Sequence, residues 1–544
     1  MFRLYKYLTI SVSVLVALTS CYNSETSDAQ VFQYNEFSGI ASLDPAQAKS
    51  QSVMWAAHQL FNTLVEVDSS LNLKGSLATR WEIAADKKTY TFYLRPDVYF
   101  HDNDCFASGK GRRLVAGDVA YSLGRILDPF TASPGAWIFN GKVDSLRPFE
   151  ALNDTTFVLR LARPYQPILG ILSMQYCSIV PREAVEKYGS TFRRNPVGSG
   201  PFRFVAWEEG QALVMARHPG YFEKDAAGNR LPYLDGIKVN FFDSRATEFL
   251  LFRQGKLDFI NDIDASFKDE VLTKAGVLRK EWNGKVNLQV HPYLNIEYLG
   301  ILVDTTSPLL KNSPLARKKI RQAINYGFDR KKMVLYLRNS IGIPAQSGFV
   351  PAGLPSFDSV AVKGYSYDPV KSRRLIAEAG FAGKPLPLLK LQTIPNYADI
   401  ANYIARELQN LGFSIQVDVV QKSLLLQLTS NSQTPFFRGS WIADYPDAEN
   451  YLLVFYSKNP APPNYTRYKN PAFDAVFEKA LAETDDSARY ALYREADRLI
   501  IEDAPVVPLW YDKVIHLVQP DIEGFDPNAL NLLELRRTRK VRKD

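Results

Sequence analysis

Apolar and polar residues alternate with a period of two at several places in the first half of the chain. Thr89-Tyr-Thr-Phe-Tyr-Leu (89–94) and Thr156-Phe-Val-Leu-Arg-Leu (156–161) each place apolar side chains on one face, as half-buried strands do. Ile237-Lys-Val-Asn-Phe-Phe predicts another strand, and Ser244 stands where it can cap a helix ending near Gly255. Val286, Leu288 and Val290 alternate up to His291-Pro292. From about residue 313 the period changes to that of helices. Ser313-Pro314 opens one with Ile320, Ala323, Ile324 and Gly327 on a shared face, and Asp368-Pro369 opens another that Gly380 closes. Ile400, Ile404, Leu408 and Leu411 form a stripe stopped by Gly412, after which Phe413, Ile415, Val417 and Val419 alternate. Helices near 471–483 and 486–502 lead into an apolar strand that starts at Pro505. Helix, glycine and strand in succession predict an α/β protein.

The N-terminus obeys neither period. Arg3 and Lys6 precede an apolar run from Leu8 to Leu18, broken by Thr9, Ser11 and Ser13. A basic head and an apolar core too short to span a bilayer predict a secretory signal over residues 1–20; a buried helix or an uncleaved anchor is the alternative. Leu18-Thr19-Ser20-Cys21 resembles a bacterial lipobox, which implies lipidation of Cys21. Each buried CH₂ of such a lipid contributes about 0.8 kcal/mol to anchoring. Residues 21–30 are polar and small, suited to a tether. No later stretch is apolar for long enough to cross a membrane.

The chain has 544 residues, a length that as a prior implies about three or four domains. It contains three cysteines, which excludes a disulfide scaffold; whether Cys105 and Cys177 pair stays open. The net charge of +7 suggests a nucleic-acid partner until it is located. Residues 1–20 carry +2 and residues 536–544 carry +5, so residues 21–535 are neutral and a nucleic-acid groove loses most of its support. The tail reads as solvated or touching phospholipid.

No reaction centre emerges. His58, His101, His218, His291 and His516 are scattered singly, with no ligand pair for a metal. The chain has no G-x-S-x-G elbow, no Walker loop and no G-x-G-x-x-G, so neither cofactor nor enzyme activity is expected. Gly198-Ser199-Gly200-Pro201 reads as a turn, and Gly109-Lys-Gly-Arg-Arg as an exposed loop.

Several segments, in order, resemble the extracellular solute-binding proteins of family 5, the oligopeptide and dipeptide receptors of ABC transporters. They are Ser42-Leu-Asp-Pro45 with Leu60-Phe-Asn-Thr-Leu64, Asn195-Pro-Val-Gly-Ser-Gly-Pro-Phe202, Phe252-Arg-Gln-Gly-Lys-Leu-Asp258, and Ile320-Arg-Gln-Ala-Ile-Asn-Tyr-Gly-Phe-Asp-Arg330, with Gly327 where the family has Ala. Tyr367-Asp-Pro369 and Glu502-Asp-Ala-Pro-Val-Val-Pro-Leu509 complete the set. The resemblance spans roughly residues 35–520 and implies a two-lobed periplasmic-binding-protein-like fold of class II, α/β, with a subdomain inserted in the first lobe. The implied division is lobe I at 31–65, 196–285 and 504–544, the insert at 66–195, and lobe II at 286–503. The alternating strand before His291-Pro292 and the strand from Pro505 would then lie near the hinge.

Arg438-Gly-Ser-Trp-Ile-Ala-Asp-Tyr445 resembles the family's ligand-contacting R-x-G-W-x-A-D-Y, with Ser440 in place of glycine. The resemblance implies that Asp444 accepts the ligand's α-ammonium, that Trp441 walls a side-chain pocket and that Arg438 faces a carboxylate. It also places Ser440 and Tyr445 at the site, where Ser440 would narrow the approach of the backbone. An unpaired buried ammonium is costly, so a carboxylate partner is physically required. The function implied is that of a monomeric, membrane-anchored lipoprotein of the periplasm or cell envelope. It would close on a peptide and deliver it to an ABC permease. An oligosaccharide, a metal chelate or another small solute is the alternative cargo, and a lipoprotein enzyme or chaperone the alternative class.

Overall fold

The computed structural model describes residues 30–541. The signal at 1–20, Cys21, all but the last residue of the tether and residues 542–544 lie outside the described residues.

An eleven-stranded sheet runs through the molecule. At its middle are two long antiparallel strands, Asn287–Ile301 and Val506–Val518, of 15 and 13 residues. On one side the sheet continues through Phe436–Ile442, Leu389–Thr393 and Ile415–Val419. On the other it continues through Phe259–Asn261, Val31–Asn35, Gly236–Asn240 and the hairpin Ala212–Arg217 with Phe202–Glu208. These groups belong to the two lobes, and the long strands cross between them. The first crossing strand does not end at His291-Pro292. It continues to Ile301, with its register broken between Pro292 and Ile296. A proline without an N–H is tolerated beside such an irregularity.

Ser313 caps a separate turn at Pro314–Ala316, and the helix proper is Lys318–Tyr326. This helix, with Arg330 at the start of the next one (Arg330–Arg338), clamps the start of the second crossing strand. Arg321 donates to the carbonyls of Asp503 and Ala504, Asn325 to that of Val506, and Arg330 to that of Pro508. The Arg-Gln-Ala segment is therefore structural, a set of buried donors aimed at one backbone. Between the first strand and the hairpin lies a four-stranded antiparallel sheet, ordered Ala78–Ile83, Thr89–Leu94, Thr156–Arg160 and Phe149–Asn153. The helix Ala116–Leu127 covers it. Its core is continuous with lobe I and with Tyr445, Tyr493 and Ile500, while lobe II keeps a second core around Ile324, Ile404 and Trp510.

Cys105 and Cys177 are free, the second fully buried with its Sγ on the Ile171 carbonyl. No described helix is long and apolar enough to cross a membrane.

The basic tail differs from the sequence expectation of a solvated appendage. Arg536 is buried and donates to Glu66, Glu223 and Glu534 at 3.1, 2.8 and 2.5 Å. Arg537 pairs with Glu223, Arg539 with Glu523 and Lys540 with Asp258, each at 2.8 Å. These acids lie up to 470 positions away, so a charge count along the chain cannot see the pairing.

Burial alone would raise the Glu66 and Glu534 carboxyls, but Arg536 beside them outweighs it and holds both below the usual range. Depressed folded values mean that this stabilisation is present above about pH 4.3 and is lost as pH falls through the folded values. Arg536→Ala removes the cation shared by three partly buried carboxylates, leaving Glu66 with Lys74, Glu223 with Arg537 and Glu534 with His58, and is expected to lower the unfolding free energy by about 3 kcal/mol at neutral pH. The deficit should shrink in acid, measured by urea unfolding as a function of pH.

Candidate ligand-binding site

Where the crossing strands lose register, a cavity of about 340 Å³ opens. Tyr293, inside the irregular stretch, forms part of its wall. The helix Gln51–Leu60 and the segment after it supply another wall, with Met54, Trp55, His58 and Asn62 lining the cavity. Ser173, Met174 and Gln175 and residues 442–446 line the remaining walls.

Backbone packing sets these walls. Trp55 Nε1 donates to the Asn531 carbonyl at 2.7 Å and Gln59 to that of Leu533 at 2.7 Å, pinning the C-terminal segment along the helix. The Gly198-Ser-Gly-Pro turn packs against the end of the same helix. A Cβ on Gly198 would lie 2.0 Å from the Leu60 carbonyl oxygen, and one on Gly200 would lie 2.4 Å from the carbonyl carbon. Only glycine fits at either position. His101 and His218 both hydrogen-bond the Gly200 carbonyl, and Ser199 donates to Asn62.

Asp444 lines the cavity. It follows the strand Phe436–Ile442, and the adjacent Ala443 N–H bonds the Leu294 carbonyl in the irregular stretch. One buried residue, Asn450, orients it. Asn450 Oδ1 accepts from the Asp444 N–H at 3.2 Å and from Trp441 Nε1 at 3.1 Å, while its Nδ2 faces Asp444 Oδ2 at 3.4 Å. Solvent reaches Asp444 through the cleft, but burial by surrounding protein raises its carboxyl above the usual aspartate range, partly offset by Asn450. No cation among the described residues pairs with it.

The other residues of the segment have different surroundings. Trp441 is partly buried and supports Asn450 without lining the cavity. Ser440 pairs with Glu297 in the sheet and is also absent from the wall. Arg438, expected to face a ligand carboxylate, instead donates to buried Glu297 at 2.5 Å and stacks on Tyr397, its guanidinium 3.8 Å from the ring centre. The reason is register: Glu297 on the neighbouring strand satisfies the cation from within lobe II. Tyr445 backs the cavity with its ring, and its hydroxyl meets Tyr165 and Glu449. Sequence reading missed Asn450, Tyr293 and the helix Gln51–Leu60. Only the last had a signal, since it lies between two of the recognised segments.

The family model for bacterial extracellular solute-binding proteins, family 5 (middle) matches residues 72–463. The periplasmic oligopeptide-binding protein OppA of Salmonella typhimurium is 26% identical over 95% of this chain and 93% of its own length. Heme-binding protein A of Haemophilus influenzae is 26% identical, with 86% and 85% covered. Among solved structures, the periplasmic murein tripeptide-binding protein MppA in its unliganded open form superposes with a TM-score of 0.81. It is 21% identical over 95% of this chain and 98% of that one.

Glu449 ties the site to the insert through Tyr445 and Tyr165. Burial pushes its carboxyl up to about 7, against the lowering effect of the Tyr445 hydroxyl that donates to it. A raised folded value means that its contribution to stability is complete below about pH 4.3 and is lost as pH rises through about 7. Glu449→Gln removes the titration, so its unfolding free energy should gain on wild type by about 2–4 kcal/mol between pH 5 and 8, as read from urea unfolding.

Proposed function

The chain belongs to the bacterial extracellular solute-binding proteins of family 5, and from that premise we propose that it binds peptides between its lobes and passes them to an ABC permease. Asp444 carries this reading. Its carboxylate sits on the wall between the lobes, without a cationic partner among the described residues, and Asn450 holds it in place. A peptide's α-ammonium is the complementary group, and burying both on closure turns a solvated contact into a charge-assisted one. No covalent step is involved; preference for the closed state drives the change.

A heme-binding relative shares the fold, but the cavity of this chain suits a peptide better. His58, its one lining histidine among the described residues, already pairs through Nε2 with Glu534 at 3.0 Å. The apolar walls, Met54, Met174 and Trp55, fit varied side chains without demanding one. Cys21 supplies the lipid that keeps the receptor at the cell envelope.

Calorimetry with di- to pentapeptides should show saturable binding that Asp444→Ala weakens by about 2–5 kcal/mol, the usual result of breaking a buried charge pair. N-acetylated peptides should lose similar affinity. Wild-type binding should weaken as pH falls through the raised value of Asp444, because protonation removes the acceptor charge. Retention of full affinity by the alanine variant would overturn the assignment. In cells, Cys21→Ser should move the protein from the membrane to the soluble fraction.

A further inference from the structure

The cavity's ionisable groups are almost all compensated from within the protein. Glu66 is held by Lys74 and Arg536, Arg536 by three carboxylates, and His58 by Glu534. Two are not. Asp444 has only the Asn450 amide, and Lys49, just before the helix Gln51–Leu60, lines the same cavity. Lys49 is exposed, and among the described residues its ammonium makes no ion pair or hydrogen bond. The two groups have opposite signs and follow strands on opposite sides of the long pair, Lys49 after Val31–Asn35 and Asp444 after Phe436–Ile442, and they do not pair with each other.

We propose that Lys49 is a specificity-determining residue that receives a carboxylate of the ligand while Asp444 receives its ammonium. The site then selects zwitterionic or acidic peptides over cationic ones. This inference rests on the peptide reading above. Two uncompensated charges in a crevice with apolar walls interact with ligand charges more strongly than they would in water. A cationic ligand satisfies Asp444 but meets repulsion from Lys49. Because the two groups belong to different lobes, a ligand that engages both bridges the cleft, and its second charged contact favours closure. The long, flexible lysine stem tolerates several ligand lengths. The carboxylate can come from the peptide's C-terminus or from an acidic side chain.

The test compares wild type, Lys49→Gln and Lys49→Glu by calorimetry at low salt. The ligands are Ala-Ala-Ala, its C-terminal amide, the amide of Ala-Asp-Ala and the amide of Ala-Lys-Ala. Wild type should bind at least one carboxylate-bearing peptide about tenfold more tightly than the Ala-Ala-Ala amide, which keeps the ammonium but has no carboxylate. Which of the two gains identifies the source of the carboxylate. Lys49→Gln should erase the difference, and Lys49→Glu should shift preference to the lysine peptide. Unchanged preferences in both variants, or equal wild-type binding of all four peptides, would overturn the role of Lys49 and leave the peptide reading standing. No wild-type binding of any peptide would overturn both. Lys49 is exposed and unpaired, so loss of folding does not confound the comparison.

Discussion

The two antiparallel strands that cross between the lobes are the constraint on which the rest of the molecule depends. They pair as Asn287–Pro292 with residues 513–518 and again as Ile296–Gly300 with residues 506–511, so each lobe inherits one end of the same ladder. The interruption between these blocks frees backbone groups in the middle of a sheet, and such groups must find partners. Leu294 supplies the answer: its N–H goes to the Ala529 carbonyl, and its carbonyl accepts from Ala443 N and the Tyr451 hydroxyl. The same three residues that break the ladder thereby tie together the C-terminal segment, the lobe II wall and the cavity.

The C-terminus is the second organiser. After the second crossing strand the chain returns along the helix Gln51–Leu60, held by Trp55 and Gln59, and ends with Arg536 among three carboxylates from different parts of lobe I and the insert boundary. With Lys74 on Glu66 and Arg537 on Glu223 the cluster sets three cations against three carboxylates, and it is stable only while these charges match, which makes it a register device more than a source of net stability. It also neutralises the floor of the cavity. The charges left over for a ligand are those that this cluster does not absorb.

Asn450 gives all three of its side-chain hydrogen bonds to Asp444 and Trp441, and the Asp444 carboxylate has no cationic partner among the described residues. The segment after it, through Tyr445 and Glu449, reaches the insert at Tyr165, so the lobe II wall is braced against a neighbour in the first lobe.

Local structure was legible where short-range physics decides it. The strand Thr89–Leu94, the Ser244 cap and the helix Asp486–Asp503 follow from periodicity and capping over a few residues. The ordered glycine and proline turns identified the family, because close backbone approaches such as that of Gly200 to Leu60 admit no side chain. The resemblance singled out Asp444, which lines the cavity, yet the surroundings of Arg438 were not legible, since Glu297 is 141 positions away and becomes its neighbour only through sheet register. The tail was misjudged for the same reason. By itself the sequence determined which elements form, the neutral charge of the body and the family. The tertiary structure alone decided which charges are spent inside the protein and which remain for a ligand, because electrostatic pairing depends on distance in space and not along the chain.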